Sequence, residues 1–112
     1  MIVTFEEYER CAMETKFEDL DEQSILFHAV FGLASEAGEV AGVLQKSYQG
    51  HLFDKESIVK ELGDCLWMIA EACDVLGVSM AEVAQVNVDK RRARYPHGFS
   101  ADRSLHRRED DK

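Results

Sequence analysis

The sequence predicts an all-α protein, an antiparallel bundle of about four helices that is completed by homo-oligomerisation. Helix-capping signals open successive segments, short connectors join them, and none alternates apolar and polar residues as a half-buried strand does. The chain has 112 residues, 31% of them charged and 46% hydrophobic, and a single proline. This composition is typical of one globular domain, and a partner subunit would help to stabilise a core of this size.

Two local signals mark the start of the first predicted helix. Thr4 and Glu7 have the spacing of a capping box, and Val3 faces Tyr8 as a hydrophobic staple. We expect this helix to end at about Thr15, before the acidic connector KFEDLDEQS.

The second predicted helix is the longest, from about Asp21 to about Tyr48, and Gln49 with Gly50 ends it. At about 100° per residue, it carries two apolar stripes on different sides. The first stripe contains Leu26, Ala29, Val30, Leu33, Ala37, Val40, Ala41 and Leu44, and the second contains Phe27, Phe31, Ala34, Gly38 and Gly42. One short chain can hardly cover both, so we expect a homo-oligomer, a dimer or tetramer. Alternatively, the second stripe packs on the chain's own first helix.

Two further helices follow. Asp54 can cap a third helix that ends before Gly77, and Ser79 with Glu82 forms another capping box that opens a fourth. Pro96 stops the fourth helix.

The domain organisation follows from these limits. We expect residues 1–99 to form one all-α domain, and the polar stretch SADRSLHRREDDK has no apolar face. We therefore expect residues 100–112 to be a flexible polar tail.

The charge of the chain restricts its partners. Thirteen basic against 22 acidic residues give a net charge of -9, which disfavours nonspecific binding to nucleic acid or to anionic membranes. The basic run KRRAR, which starts at Lys90, is too short to change this expectation. We find neither a basic and apolar leader nor an apolar run of about 18 residues. The expected compartment is therefore the cytoplasm, with no membrane and no nucleic acid as partner.

The cysteines and histidines do not suggest a cofactor site. The three cysteines, Cys11, Cys65 and Cys73, lack the C-x-x-C spacing of a zinc site or a redox motif. We expect ordinary, largely buried thiols. The four histidines, of which His28 is the first, are scattered and form no H-x-x-x-H pair.

Acidic residues three apart give the strongest functional signal. Glu36 and Glu39, in GLASEAGEV, are the only formally charged residues from Gln23 to Gln45, and Glu61 with Asp64 lies in the similarly apolar KELGDCLWMIA. Other pairs with this spacing are expected on solvated helix faces: Glu6 with Glu9, Glu18 with Asp21, Asp19 with Glu22, and Glu71 with Asp74.

Both selected pairs border apolar stripes. On the third helix the stripe consists of Ile58, Leu62, Cys65, Leu66, Ile69, Cys73 and Leu76. Packing the second and third helices together would bring four carboxylates into one cleft, where they repel one another unless a cation is present. Hard oxygen ligands without histidine or cysteine select Mg²⁺, with Mn²⁺ as a substitute, and Mg²⁺ commonly completes its shell with water and substrate phosphates. With two metal ions, one could activate water while the other stabilises the leaving oxygen.

Three segments together carry a family resemblance: GLASEAGEVAG, KELGDCLWMIAEACDVLG and NVDKRRARYPHGF. Over roughly residues 25–99 the sequence resembles the MazG-type nucleotide pyrophosphohydrolases of the all-α nucleoside triphosphate pyrophosphatase group. The family signature is E-x-x-E, a gap of one to three dozen residues, and E-x-x-D. Here Glu36 and Glu39 precede Glu61 and Asp64 by 21 intervening residues.

The resemblance implies a Mg²⁺-dependent hydrolase that converts a nucleoside triphosphate into a monophosphate and pyrophosphate. It implies that all four acids are catalytic metal ligands, one of which orients the attacking water. It also implies dimers or tetramers whose active sites draw on neighbouring subunits.

Further candidates could contact the substrate. The resemblance points to Asn87, Lys90 and Arg94 as ligands of phosphate or base, and a polar flank or a salt bridge between subunits is the alternative for them. Lys60 could reach a phosphate or be solvated, and Trp67 could stack on a base or belong to the core.

Two other functions stay open at this point. A phosphoribosyl-ATP-type pyrophosphohydrolase would use similar carboxylates and also release pyrophosphate. A non-catalytic acidic helical module that binds a nucleotide or a protein would use the carboxylates only as a structural cation site.

Overall fold

The computed structural model describes residues 1–107 and confirms the all-helical prediction for that part of the chain. It contains five α-helices and one 3₁₀ turn. These elements are α1 (Phe5–Ala12), the 3₁₀ turn Met13–Thr15, α2 (Glu22–Tyr48), α3 (Lys55–Leu76), α4 (Met80–Arg94) and α5 (Ala101–Leu105). Within residues 1–107, no helix combines the length and the apolar character that a membrane span needs.

The first helix starts at the predicted cap. The Glu7 N–H donates to Thr4 Oγ1 over 3.1 Å, which satisfies one of the free amide groups at the start of α1. The Glu7 carboxylate in turn accepts from the N–H of Val3 at 3.3 Å, one residue before the position of an ideal capping box.

Aspartates cap the two long helices. Asp21 Oδ1 accepts from the Ser24 N–H at 2.8 Å, and Asp54 Oδ1 accepts from the Ser57 N–H at 3.1 Å. The Ser57 hydroxyl also donates to Asp54 Oδ2 at 2.7 Å. Hydrogen bonds stabilise the ionised carboxylates: the Ser24 N–H lowers the pKa of Asp21, and the Ser57 hydroxyl, followed by the Ser57 N–H, lowers the pKa of Asp54. At the other end of α3, Gly77 has a φ of 72°, a left-handed conformation that glycine adopts without a Cβ clash.

Residues 1–80 form a compact unit around the antiparallel helices α2 and α3. Their contacts pair early residues of α2 with late residues of α3. His28 lies against Glu71, and a Cβ placed on Gly32 would lie only 2.5 Å from Met68 Sδ.

Helix α1 packs on α3 at one side of this pair. The indole Nε1 of Trp67 donates to the Ala12 carbonyl oxygen at 2.9 Å, which ties the end of α1 to the middle of α3. Glu9 also accepts a hydrogen bond from the Met80 N–H, at 2.5 Å, so α1 satisfies a donor at the start of α4. The main cluster of buried residues here is Ala12, Ala70, Cys73 and Met80.

The buried core of the single chain is small, and several large apolar side chains of α2 lie on its surface. Phe27 is 51% exposed and Phe31 69%, and their rings stack with centroids 5.9 Å apart. The sequence prediction of largely buried cysteines is wrong for Cys11, which is exposed because it lies about 100° around α1 from the buried Ala12, whereas Cys73 is buried.

Residues 81–107 belong to a second compact unit. Part of the predicted flexible tail is helical here: α5 covers Ala101–Leu105 and is capped by Ser100, whose hydroxyl accepts from the Arg103 N–H. The sequence analysis missed this helix because its capping signal precedes a segment without an apolar face. The rest of the predicted tail, residues 108–112, lies outside the described residues.

Candidate metal centre

Two helices contribute three carboxylates to one cluster. Glu36 projects from the middle of α2, and Glu61 and Asp64 lie one helical turn apart on α3. One carboxylate oxygen from each of these residues lies within 4.8 Å of the other two. Glu36 and Glu61 are half-buried, whereas Asp64 is exposed. The cluster therefore has two sheltered acids and one that faces solvent.

The surroundings of the cluster change the pKa of Glu36. Partial loss of hydration raises the pKa of Glu36, and the charges of Asp64, Glu61 and Glu39 raise it further, in that order. A hydrogen bond between the side chains of Glu36 and Glu61 acts in the same direction. Two carboxyl groups can share a hydrogen bond only when one is protonated, so the cluster favours a bound positive charge, either a proton or a cation.

Glu39 is the predicted ligand that the cluster of three does not include. It is exposed on α2, one turn beyond Glu36, and a residue three positions along a helix is rotated by about 60° from the first. Its charge nevertheless contributes to the raised pKa of Glu36. The role of Glu39 as a ligand stays a prediction.

The donor set fits a hard divalent cation. The three side chains offer only carboxylate oxygens, the ligands that Mg²⁺ prefers.

Comparison with models of protein families shows which family the chain belongs to. The model of the MazG nucleotide pyrophosphohydrolase domain matches residues 27–99, which contain all four predicted acids. The chain belongs to the MazG family. It is also similar to the Gene 37 protein of Mycobacterium phage L5, with 32% identity over 89 residues that cover 71% of this chain and 75% of the phage protein. No solved structure gives a significant match.

Two predicted substrate ligands of this MazG domain lie on α3, Lys60 next to Glu61 in the sequence and Trp67 three residues after Asp64. Lys60 is exposed, and its Nζ lies 3.6 Å from Glu56 Oε1, one helical turn away. Trp67 is half-buried and donates its indole N–H to Ala12 and, at 3.2 Å, to Thr15 Oγ1. Trp67 therefore holds α1 on α3, and its contact with a substrate stays a prediction.

The predicted ligands on α4 lie in the second unit of the MazG domain. Asn87 and Lys90 are exposed, whereas Arg94 is only 8% exposed. The guanidinium carbons of Arg91 and Arg94 lie 5.4 and 5.7 Å from the centre of the Tyr95 ring, within the range of cation-π contacts. A hydrogen bond from Ser104, together with Arg94, lowers the pKa of the Tyr95 phenol.

Sequence reasoning missed two residues near the α2 and α3 contact. Glu71, which the spacing placed on a solvated face, is only 3% exposed and contacts His28. That prediction is wrong because the spacing of two acids does not reveal a partner on another helix. Tyr8 is close enough to Asp64 for the charge of this carboxylate, after the larger effect of burial, to raise the pKa of the phenol.

Proposed function

We propose that this MazG domain is a Mg²⁺-dependent pyrophosphohydrolase that cleaves a nucleoside triphosphate between its α- and β-phosphates. The products are a nucleoside monophosphate and pyrophosphate, with one water molecule consumed. The observation that carries this proposal is the meeting of Glu36, Glu61 and Asp64 within 4.8 Å, in a chain that belongs to the MazG family.

In this proposal the acidic cluster is the cation site. Glu36, Glu61 and Asp64 hold Mg²⁺, for which Mn²⁺ can substitute, and Glu39 contributes as the fourth acid at the exposed side. Bound Mg²⁺ neutralises phosphate charge and lowers the pKa of coordinated water. The raised pKa of Glu36 supports the assignment. Neighbouring negative charges destabilise the ionised form of Glu36, and a bound cation would stabilise that form.

The four acids have different proposed roles. Half-buried Glu36 and Glu61 have the more fixed surroundings and serve to hold the cation in place. Glu39 lies outside the group of three acids and is exposed to solvent. We propose that its carboxylate accepts a hydrogen bond from the attacking water and orients it.

Basic and amide side chains complete the proposed binding of the nucleotide. Asn87 and Lys90 are exposed on α4 and are available to donate to phosphate oxygens. We assign Arg94 and Lys60 the same task, and we retain Trp67 as a residue that contacts the base with the exposed part of its ring. The family resemblance supports the assignments of Asn87, Lys90 and Arg94 on α4. The assignment of Lys60 is supported by its position next to Glu61 in the sequence.

We also propose that the domain works as a homo-oligomer, a dimer or a tetramer. The exposed Phe27 and Phe31 pair would lose contact with water in a subunit interface. Gly38 and Gly42 belong to the same predicted stripe, and a Cβ on either would have nothing of the described chain within 4 Å beyond the neighbouring backbone of α2 itself. This face is thus open to a second backbone.

A nucleotide panel with separate detection of pyrophosphate and orthophosphate tests the proposed activity. The panel contains ribo- and deoxynucleoside triphosphates and phosphoribosyl-ATP, each with Mg²⁺ and with a chelator. We expect Mg²⁺-dependent pyrophosphate and monophosphate in equal amounts from at least one triphosphate. Turnover of phosphoribosyl-ATP alone would favour the sister activity, and the absence of turnover with cation binding intact would favour the non-catalytic module.

A further inference from the structure

A cavity of about 340 Å³ lies where α2 ends and α3 begins. Its walls combine two apolar and four polar side chains, those of Val43, Leu52, Lys46, His51, Asp54 and Ser57. Its volume is at the lower end of the range of about 300–1,000 Å³ that is typical of pockets for small ligands. The cavity therefore offers both charge and hydrogen-bonding groups to a ligand.

The cavity lies on the same faces of α2 and α3 as the acidic cluster. Val43 follows Glu36 by seven residues, and Ser57 precedes Asp64 by seven. Seven residues complete two helical turns to within about 20° and cover about 10 Å along the helix axis. Because α2 and α3 are antiparallel, both steps lead in the same direction, towards the connector between the two helices. The groove that holds the cluster therefore continues into the cavity.

Lys46 and His51 supply N–H donors to this cavity. The backbone N–H of His51 donates to the Lys46 carbonyl oxygen at 3.0 Å, so the turn after α2 holds the two residues close to each other. Gly50, with a φ of 106°, allows this turn. Lys46 also follows Glu39 by seven residues, and side chains of a helix lean towards its N-terminus. The lysine stem therefore extends from the cavity in the direction of the acidic cluster.

The charge of Lys46 is not neutralised within the described chain. Lys16 pairs with Asp74 at 3.3 Å, whereas Lys46 forms no ion pair with any residue from 1 to 107. The carboxylate in the cavity wall, that of Asp54, accepts from the N–H of Ser57 with one oxygen and from the Ser57 hydroxyl with the other. The negative charge of the wall is thus directed to the start of α3, and the ammonium group of Lys46 stays available to a ligand.

These walls fit a phosphate group better than a nucleobase. A base commonly binds by stacking on an aromatic side chain, and no phenyl, phenol or indole ring lines the cavity. A phosphate group needs cationic or N–H donors in exchange for its hydration, and Lys46 and His51 provide them. In a nucleoside triphosphate that is cleaved at the cluster between its α- and β-phosphates, the γ-phosphate extends beyond the cluster.

We propose that this cavity receives the terminal phosphate of the nucleoside triphosphate, with Lys46 and His51 as its donors, while the α- and β-phosphates lie at the acidic cluster. This inference rests on the proposed function and adds to it the selection of triphosphates over diphosphates. Lys46 is then a specificity-determining residue, since only a triphosphate reaches its ammonium group.

Calorimetric titration with non-hydrolysable α,β-methylene analogues, in the presence of Mg²⁺, tests this subsite without turnover. Lys46→Ala should weaken binding of the triphosphate analogue about tenfold, because the loss of one charge-assisted hydrogen bond has about this effect. Binding of the diphosphate analogue, which lacks the γ-phosphate, should change by less than about threefold. Lys46→Arg keeps the positive charge and should retain the preference for the triphosphate.

Lys55→Ala is the matched control, because Lys55 is an exposed lysine at the start of α3 and is not part of the cavity wall. It should bind both analogues as the wild type does. Wild-type affinity of Lys46→Ala for the triphosphate analogue would overturn the subsite. An equal loss of affinity for both analogues would also overturn it, because that result would show only a general attraction between charges.

A second measurement does not depend on the folding of a variant. In the wild-type chain with ¹³C-labelled methyl groups, inorganic tripolyphosphate with Mg²⁺ should shift the methyl resonances of Val43 and Leu52 relative to Mg²⁺ alone. A nucleoside monophosphate with Mg²⁺ should leave them in place. The reverse pattern would place the base in the cavity and overturn the subsite, and so would unchanged resonances at saturating triphosphate analogue.

The outcome is separable from that of the proposed function. Pyrophosphate release with an unaffected KM in Lys46→Ala would overturn the subsite and leave the hydrolase proposal intact. Binding of the triphosphate analogue through Lys46 without any turnover of triphosphates would support the subsite and contradict the hydrolase.

Discussion

The Nδ1 atom of His28 lies 2.5 Å from Oε1 of Glu71, and this contact joins α2 to α3. The Glu71 residue is 3% exposed, whereas half of the His28 side chain, 51%, is accessible to solvent. Position 28 pairs with 71, position 32 with 68, and position 36 with 61 and 64, so the histidine contact and the acidic cluster lie along the same antiparallel seam. The contact therefore helps to fix the register that brings Glu36 to the α3 acids.

Removal of this contact should destabilise the fold. His28→Ala leaves the buried Glu71 carboxylate without its imidazole partner, and we expect the free energy of unfolding to fall by about 2 kcal/mol. Glu71→Gln should lower the free energy of unfolding by less, because a neutral amide can still accept a hydrogen bond and loses less hydration energy when it is buried. Urea denaturation of both variants measures the difference.

His106→Ala is the control for that experiment. Its imidazole also contacts a carboxylate, Asp102 at 3.1 Å, but both side chains are at least 75% exposed. We expect almost no loss of stability there, because exposed pairs contribute little. Equal effects of the His28 and His106 substitutions would show that Glu71 does not depend on His28.

The helix ends could be predicted from the sequence because their signals are local. Thr4, Asp21 and Asp54 each accept from a backbone N–H three residues later, and Gly77 ends α3. The spacing of residues within one segment is sufficient to find such contacts. The short helix α5 was missed because local capping by Ser100, rather than an apolar face, marks it.

Contacts between helices were less predictable. The partner of Glu71 depends on the register of α2 against α3, which no single segment contains. The same limit applies to the hydrogen bond from Met80 to Glu9, since Glu9 was also expected on a solvated face. The meeting of Glu36, Glu61 and Asp64 was an exception, because these acids are the rare charges in apolar segments and this contrast is visible in the sequence. The fourth predicted acid of the cluster lies outside this group.

Glycine substitutions on α2 test the proposed oligomer. In an isolated helix, Gly→Ala stabilises by about 0.5–1 kcal/mol because alanine loses less backbone entropy on folding. If a second subunit packs on Gly38 and Gly42, the added methyl groups should instead weaken association. We expect sedimentation velocity to show dissociation of Gly38→Ala at concentrations where the wild type is oligomeric.

Gly63→Ala provides the comparison on α3. A Cβ on Gly63 also has nothing of the described chain within 4 Å, and the residue is outside the predicted small-residue stripe of α2. This variant should be more stable and unchanged in its association. If Gly38→Ala and Gly42→Ala behaved in the same way, the face would be solvent-exposed and the oligomer would use another surface.

The raised pKa of Glu36 predicts a pH dependence of stability for the metal-free protein. The folded-state pKa lies above the ordinary value of 4.5, so protonated Glu36 stabilises the fold at low pH and this contribution is lost as the pH rises through the folded-state pKa. Asp21 and Asp54 act oppositely, since their lowered pKa values give stability that is lost as the pH falls. The difference between wild type and Glu36→Gln isolates the effect of Glu36.

Thermal unfolding with a chelator, from pH 4 upward, gives that difference. We expect the wild type to lose stability relative to Glu36→Gln as the pH rises above 4.5, and Mg²⁺ to restore it by replacing the proton. Parallel curves for the two proteins, with and without Mg²⁺, would contradict the assignment of Glu36 to a crowded acidic site.

The two acids of α2 should differ in their effect on cation binding. Glu36 belongs to the cluster with Glu61 and Asp64, and Glu39 does not. Glu36→Gln should therefore weaken Mg²⁺ binding by at least tenfold, and Glu39→Gln should weaken it by less. We expect Glu39→Gln to reduce kcat more than it reduces Mg²⁺ affinity. Calorimetric titration of Mg²⁺ and steady-state kinetics separate these effects. A greater loss of Mg²⁺ affinity in Glu39→Gln would reverse the two roles.

The most direct test of the central claim is the Mg²⁺-dependent release of pyrophosphate by Asp64→Asn, beside Glu22→Gln, an exposed acid in the first turn of α2. Substitution of residues that merely support metal ligands costs about 10- to 100-fold, so loss of a ligand should reduce kcat/KM by about 100-fold or more. We expect this loss and weaker Mg²⁺ binding in Asp64→Asn, with wild-type values in Glu22→Gln. Full turnover and unaltered Mg²⁺ affinity in Asp64→Asn would contradict a catalytic cation site built from these acids.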